Sequence, residues 1–171
     1  HSPEAETPPP AALPASECWR RGAIPSEARL GRGPLALVFC DERLPCDPCA
    51  EACPNGCITL TEPVVGEPVL DAEACDGCGA CITSCPAGAI IVVDLTAGRK
   101  LGRVWLPYEM LPLPAAGETV RVLDPVGQDV GEGKAVSVRP PEEGDGTAVI
   151  CVEVPKEFAL CAAALRPERP R

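Results

Sequence analysis

Aromatic side chains make up only 3% of this 171-residue chain, and histidine occurs once, at His1. So few rings leave little material for a large conventional core. A single histidine at the extreme N-terminus excludes histidine acid–base catalysis. No apolar run approaches the ~18 residues of a membrane span. No stretch has the form of a signal h-region. G-x-G-x-x-G, nucleophile-elbow and zincin motifs are missing, and Gly131-Glu132-Gly133-Lys134 lacks the full phosphate-loop pattern, so it reads as a hairpin turn. No catalytic site is therefore legible. Basic residues are nearly missing from one segment. Residues 40–95 carry ten acids and one base, Arg43, so almost all of the net charge of −10 sits there. That acidic face argues against nucleic acid and suits steering toward a basic patch on a partner.

What the chain has instead is cysteine, 12 residues of it, with 22 prolines and 16 glycines. The most regular stretch is CDGCGACITSCPAGAI, Cys75 to Ile90. It spells Cys75-x2-Cys78-x2-Cys81-x3-Cys85-Pro86, the bacterial ferredoxin run C-x2-C-x2-C-x3-C-P. In that run three thiolates hold one [4Fe–4S] cluster and the fourth reaches a second. Gly77 and Gly79 let the loop fold closely and aim amides at sulfur, and Pro86 turns the chain away. Zinc ribbons pair two C-x2-C knuckles at a longer separation. Thiolate ligands favour a reducing, cytoplasmic setting over a secreted disulfide scaffold, and bound metal can replace part of a missing core.

A second, imperfect copy runs from Cys40 to Ile58, CDERLPCDPCAEACPNGCI. Cys46-x2-Cys49-x3-Cys53-Pro54 matches the middle and end of the run, but the regular first ligand would fall at Arg43. Two cysteines could replace it. Cys40 precedes the loop on the correct side, and its three-residue insertion is easily absorbed. Cys57 follows the proline and aligns with Ala89, where a small buried thiol is the simpler reading. Cys40 is preferred. Ferredoxin cross-ligation then gives cluster one Cys40, Cys46, Cys49 and Cys85, and cluster two Cys53, Cys75, Cys78 and Cys81.

The coarse order across residues 35–95 is strand, loop-helix, strand, strand, loop-helix, strand. Its strands are Leu35 to Phe39, a strand beginning after Cys57, one within Gly66 to Asp71, and the β-branched Ile90-Ile91-Val92-Val93. Residues 1–15 are a Pro-rich tail without periodicity. Residues 16–34 hold Arg20, Arg21, Arg29 and Arg32 and read as a docking arm lying on a partner or back over the domain. After Asp94 the alternation of Arg103–Leu106, Thr119–Leu123, Ala135–Arg139 and Thr147–Val154 predicts strands, and Pro155 to Leu165 suits a short helix. Cys18, Cys151 and Cys161 read as packed thiols. The fold class expected is α+β: a bacterial-type two-cluster ferredoxin core over 35–95, with the N-terminal arm and a small C-terminal antiparallel β extension over 96–171.

Three strings, IPSEARLGRGPLALVFCDERLPCDPCAEACP, CDGCGACITSCPAGAI and WLPYEMLPLPAAGETV with VGEGKAVSV, resemble the small iron–sulfur subunits that accompany FAD-dependent amine, opine or proline/hydroxyproline dehydrogenases. The resemblance covers about residues 22–160. It implies two [4Fe–4S] clusters with Cys40 as first ligand, and a non-catalytic subunit relaying single electrons from a flavoprotein partner to an external acceptor. The family's usual alanine is replaced here by Cys57.

Overall fold

The computed structural model describes residues 25–38, 46, 48–61, 68–110, 112–125, 127–141 and 146–166. The Pro-rich tail, the first part of the arm (16–24), Cys18, Cys40, Arg43 and the residues after 166 lie outside the described residues. In chain order the elements are α1 (Glu27–Leu30), β1 (Leu35–Val38), α2 (Pro48–Ala52), β2 (Ile58–Leu60), β3 (Pro68–Leu70), α3 (Ala80–Ser84) and β4 (Ile90–Asp94). Then follow β5 (Leu101–Tyr108), β6 (Thr119–Leu123), β7 (Asp129–Arg139), β8 (Ala148–Pro155), α4 (Lys156–Ala159) and β9 (Ala164–Leu165).

Seven strands form one antiparallel sheet in the order β1-β4-β5-β8-β7-β6-β9, and β2 and β3 form a separate hairpin. The sheet explains the unbroken apolar run of β4. Ile91 and Val93 point into a core with Leu35, Leu37, Val104, Leu106, Ile150 and Val152. Ile90 and Val92 point the other way, into a smaller cluster with Ile58, Cys81, Ile82, Cys85 and Val149. A strand buried on both faces reads as continuously hydrophobic rather than alternating. β5 alternates because it is buried more fully on one face: Gly102, Val104, Leu106 and Tyr108 are buried, and the residues between them are partly open. At the far end β9 lies against β5, so the sheet curls back as a half-barrel. The cysteine loops therefore sit on one face of the sheet that also carries the β extension.

Three expectations change. Gly131 to Lys134 is not a hairpin turn but the middle of β7. Glycine is needed there because a Cβ at Gly133 would lie 2.5 Å from Val152 Cγ1, and one at Gly131 would meet the Phe158 ring at 3.0 Å. The β6–β7 reversal lies earlier, where Gly127 donates to the Asp124 carbonyl and Asp124 to the Gln128 carbonyl. The C-terminal helix is only one turn, and the chain then pairs β9 with β6. Cys151 is a buried free thiol, whereas the equally buried Cys161 is disulfide-bonded. The described part of the arm, from Pro25, packs back over the domain, with Leu30 in the main core.

Candidate metal centre

Two antiparallel strand pairs bring the ends of the cysteine runs together. β1 pairs with β4 so that Val38 faces Ile90, which places the residues leading to Cys40 beside those that follow Cys85. β2 pairs with β3 so that Ile58 faces Leu70, and Asp71 donates to the Cys57 carbonyl at 2.7 Å. This places the exit from Cys53 beside the approach to Cys75. The short helices α2 and α3 that carry the runs pack on each other. Asn55 of the first run also hydrogen-bonds the Asp76 carboxylate of the second, which, with the Cys78 amide, holds that carboxyl below its usual range.

Backbone amides point at cysteine sulfur in both runs. Ala36 donates to Cys75 Sγ at 3.5 Å, Cys57 to Cys53 Sγ at 3.3 Å, and Ala89 to Cys85 Sγ at 3.4 Å. Gly77 has φ +72°, and a Cβ there would lie 2.5 Å from Pro34 Cβ and 2.8 Å from Pro34 C. The loop can approach β1 so closely only with glycine at that position.

The thiols also sense one another. Burial pushes Cys81 up to about 12, and the neighbouring sulfurs of Cys75, Cys78 and Cys53 add to the rise. Burial likewise pushes Cys57 up to about 12, with Cys53, Cys75 and Asp71 adding. Burial alone would raise Cys53 as well, but amides of Cys57, Asn55 and Ile58 donate toward its sulfur and lower it. Cys53, Cys75, Cys78 and Cys81 therefore occupy one electrostatic neighbourhood. Packing four thiolates together with no cation is unfavourable, and bound iron removes that conflict. Among the described residues no three Cys, His, Asp or Glu side chains converge as they would on a single ion. In a cubane each iron takes its own thiolate, so the ligands ring a volume instead of meeting at a point. The donor set, the amides aimed at sulfur and the glycine-tight loop fit a cluster.

Of the other expected ligands, Cys46 and Cys49 are half-buried, Cys85 is buried, and Cys49, Cys75, Cys81 and Cys85 share the smaller apolar cluster. Cys78 is exposed. Beside it a cavity of about 240 Å³ opens between the loop and the sheet, lined by Gly77, Gly79, Ile82, Trp105 and Arg139 among others. Sequence reasoning missed Arg29, which reaches the second loop from the arm. Its only sequence signal is its place in the basic cluster of residues 16–34.

Two models of the 4Fe–4S dicluster domain match the chain, over residues 43–89 and 67–139. An uncharacterized ferredoxin of Methanocaldococcus jannaschii is 36% identical over 78 residues, 44% of this chain and 48% of that protein. The ferredoxin-type protein NapF of Haemophilus influenzae is 38% identical over 55 residues, 31% of each chain. The polyferredoxin-like subunit of an aliphatic sulfonate oxidoreductase of Pyrococcus furiosus is 33% identical over 61 residues, 30% of this chain and 35% of that one. The chain spans less than half the length of these curated relatives. No solved structure matches it. The two matches mark residues 43–89 and 67–139 as ferredoxin-type 4Fe–4S dicluster sequence, the signature of an iron–sulfur protein.

Proposed function

We propose that this chain holds two [4Fe–4S] clusters and serves as the electron-relay subunit of a flavin-dependent dehydrogenase. The observation that carries the ligand assignment is that Cys53, from the first run, joins Cys75 and Cys78 within charge range of Cys81. These four would hold cluster two, and Cys40, Cys46, Cys49 and Cys85 cluster one. Cys57 is the packed thiol. Its amide serves Cys53 Sγ as the Ala89 amide serves Cys85 Sγ, so its side chain takes the place that a methyl group fills in the second run.

When bound, the clusters supply one-electron steps. The chain's own residues do the rest. The cysteines fix the irons, the Ala36, Cys57 and Ala89 amides hold the sulfurs, and Ile82, Val92 and Val149 keep water from the buried side. The open side at Cys78 is where a partner can approach. The reduced flavin of that partner would give up two electrons, one at a time, for passage to an external acceptor. Support for a fixed subunit comes from the resemblance and from the β extension, which continues the cluster-bearing sheet through the β4–β5 pairing and which a bare shuttle does not need. Thiolate ligation supports a reducing, cytoplasmic setting, against which the disulfide at Cys161 stands. No described helix is long and apolar enough to cross a membrane.

One observation favours a second reading, a freely diffusing ferredoxin. The exposed large apolar side chains among the described residues are Val69, Leu101 and Met110, few for a surface held permanently against a partner. Anaerobic affinity purification from the source separates the two. The subunit reading expects a brown, dithionite-bleachable preparation with a flavoprotein in fixed ratio. A brown chain that is monodisperse without flavoprotein means the shuttle, and a colourless, zinc-containing chain overturns both.

A further inference from the structure

Arg29 is the one buried basic residue among the described residues, 5% exposed. Its guanidinium donates through Nε to the Ala72 carbonyl at 2.6 Å, through Nη1 to the Gly33 carbonyl at 3.3 Å, and through Nη2 to the Pro34 carbonyl at 3.0 Å and the Cys75 carbonyl at 2.7 Å. No carboxylate pairs with it among the described residues. The neighbouring Arg32 takes the nearby Glu73 instead. Carbonyl oxygens satisfy N–H donors but do not cancel a full charge, and an uncompensated buried charge is expensive unless an opposite charge faces it.

The group that Arg29 faces is the start of the second cysteine run. It ties Gly33-Pro34 to Ala72 and Cys75, and Pro34 is the residue that presses on Gly77. From the adjoining strand Ala36 donates to the Cys75 sulfur itself. The fixed cation is thus one hydrogen bond from the backbone of a proposed iron ligand.

We propose that Arg29 is the positioning and charge-setting residue of cluster two, and that its buried positive charge makes this cluster the easier of the two to reduce. The inference rests on the ligand assignment proposed above. Cluster potential follows net charge, hydrogen bonding and solvent exposure. Reduction adds negative charge, so a cation held close by favours the reduced form. Because it is buried, salt screens it little. The buried charge beside Cys75 favours an electron settling on that side, next to the exposed Cys78.

The test is an anaerobic redox titration, followed by electron paramagnetic resonance and visible absorbance, of the iron-loaded wild type and of Arg29→Lys, Arg29→Gln and Arg29→Met. Lys keeps the charge, Gln keeps hydrogen bonding without it, and Met keeps neither. The expected result is that Gln and Met move one cluster's midpoint to more negative potential and leave the other in place, while Lys stays close to the wild type. Should Met fail to hold iron, the Lys and Gln pair still decides, since both can bond the carbonyls. Equal midpoints in Lys and Gln, or a shift of both clusters alike, overturns the inference and leaves the ligand assignment standing. A wild type without a reducible iron chromophore overturns the assignment and the inference with it.

Discussion

After Cys53 and after Cys85 the backbone takes the same path. Gly56 and Gly88 have φ of +63° and +62°, each donates to the carbonyl of the preceding cysteine at 3.2 Å, and the next amide donates to that cysteine's sulfur. The helices before these turns differ. α3 buries Cys81 and Ile82, whereas α2 buries none of its residues. The second loop is also pressed by Pro34 and braced by Arg29, contacts that come from far away in sequence. The two runs thus share what local hydrogen bonding dictates and differ in what the surrounding core supplies. The helix of the second run is built into the core, and that of the first stands nearer the surface.

The largest expected effect follows from the Pro34 contact. Gly77→Ala combines a left-handed φ with a clash against Pro34 backbone, worth roughly 3 kcal/mol or more together. It should remove the second cluster, about half of the iron, whereas Gly56→Ala, whose Cβ meets nothing within 4 Å, should keep its iron and lose on the order of 1 kcal/mol. Iron analysis and thermal unfolding of the pair check this. Equal losses would erase the contrast between the runs.

The same contrast predicts the order of metal loss. A chelator added anaerobically should draw iron in two phases, the fast one from the Cys46–Cys49 side, and Cys46→Ala should abolish the fast phase only. A single phase, or loss of the slow one, would reverse the ranking.

Much of this was legible in the cysteine spacing, which marks both loops without any knowledge of the fold. The β-branched Ile90–Val93 and the alternation in β5 and β8 marked strands, because burial on two faces or one leaves a direct trace in sequence. Gly131 to Lys134 misled, since glycine in a turn and glycine under a neighbouring side chain look alike until Val152 and Phe158 are in place. Arg29 was hidden for a similar reason. Its partners Ala72 and Cys75 lie 43 and 46 residues away, and an arginine in a basic arm carries no sign that it will be buried.

Smaller effects sharpen the comparison. Cys57→Ala gives the first run the side chain that stands in the second. It should leave the iron content unchanged and cost about 1 kcal/mol for the lost packing, whereas Cys40→Ala should lose the first cluster. The reverse pattern would make Cys57 the ligand. The smallest effect lies outside both runs. Arg121 donates to Asp129 through Nε at 2.9 Å and Nη2 at 2.6 Å, which holds that carboxyl below its usual range against the opposing effect of burial, and Arg166 adds to the lowering. A carboxyl lowered on folding contributes stability above its unfolded pKa and loses it as pH falls through the folded value. Thermal unfolding from pH ~6 down to pH ~2 should therefore show Asp129→Asn less acid-sensitive than the wild type, with a difference near neutrality on the order of 1 kcal/mol or less. Parallel pH curves would remove Arg121–Asp129 as a contributor.

The central claim is that the runs are interlocked, each cluster drawing one cysteine from the other run. Iron and acid-labile sulfide counts of two double variants test it most directly. If Cys53 and Cys75 serve the same cluster, Cys53→Ala with Cys75→Ala should retain about four of about eight irons, while Cys46→Ala with Cys53→Ala should retain almost none. The opposite result, with the Cys46 and Cys53 pair keeping about four irons and the Cys53 and Cys75 pair losing all, would show that each run fills its own cluster and would contradict the account.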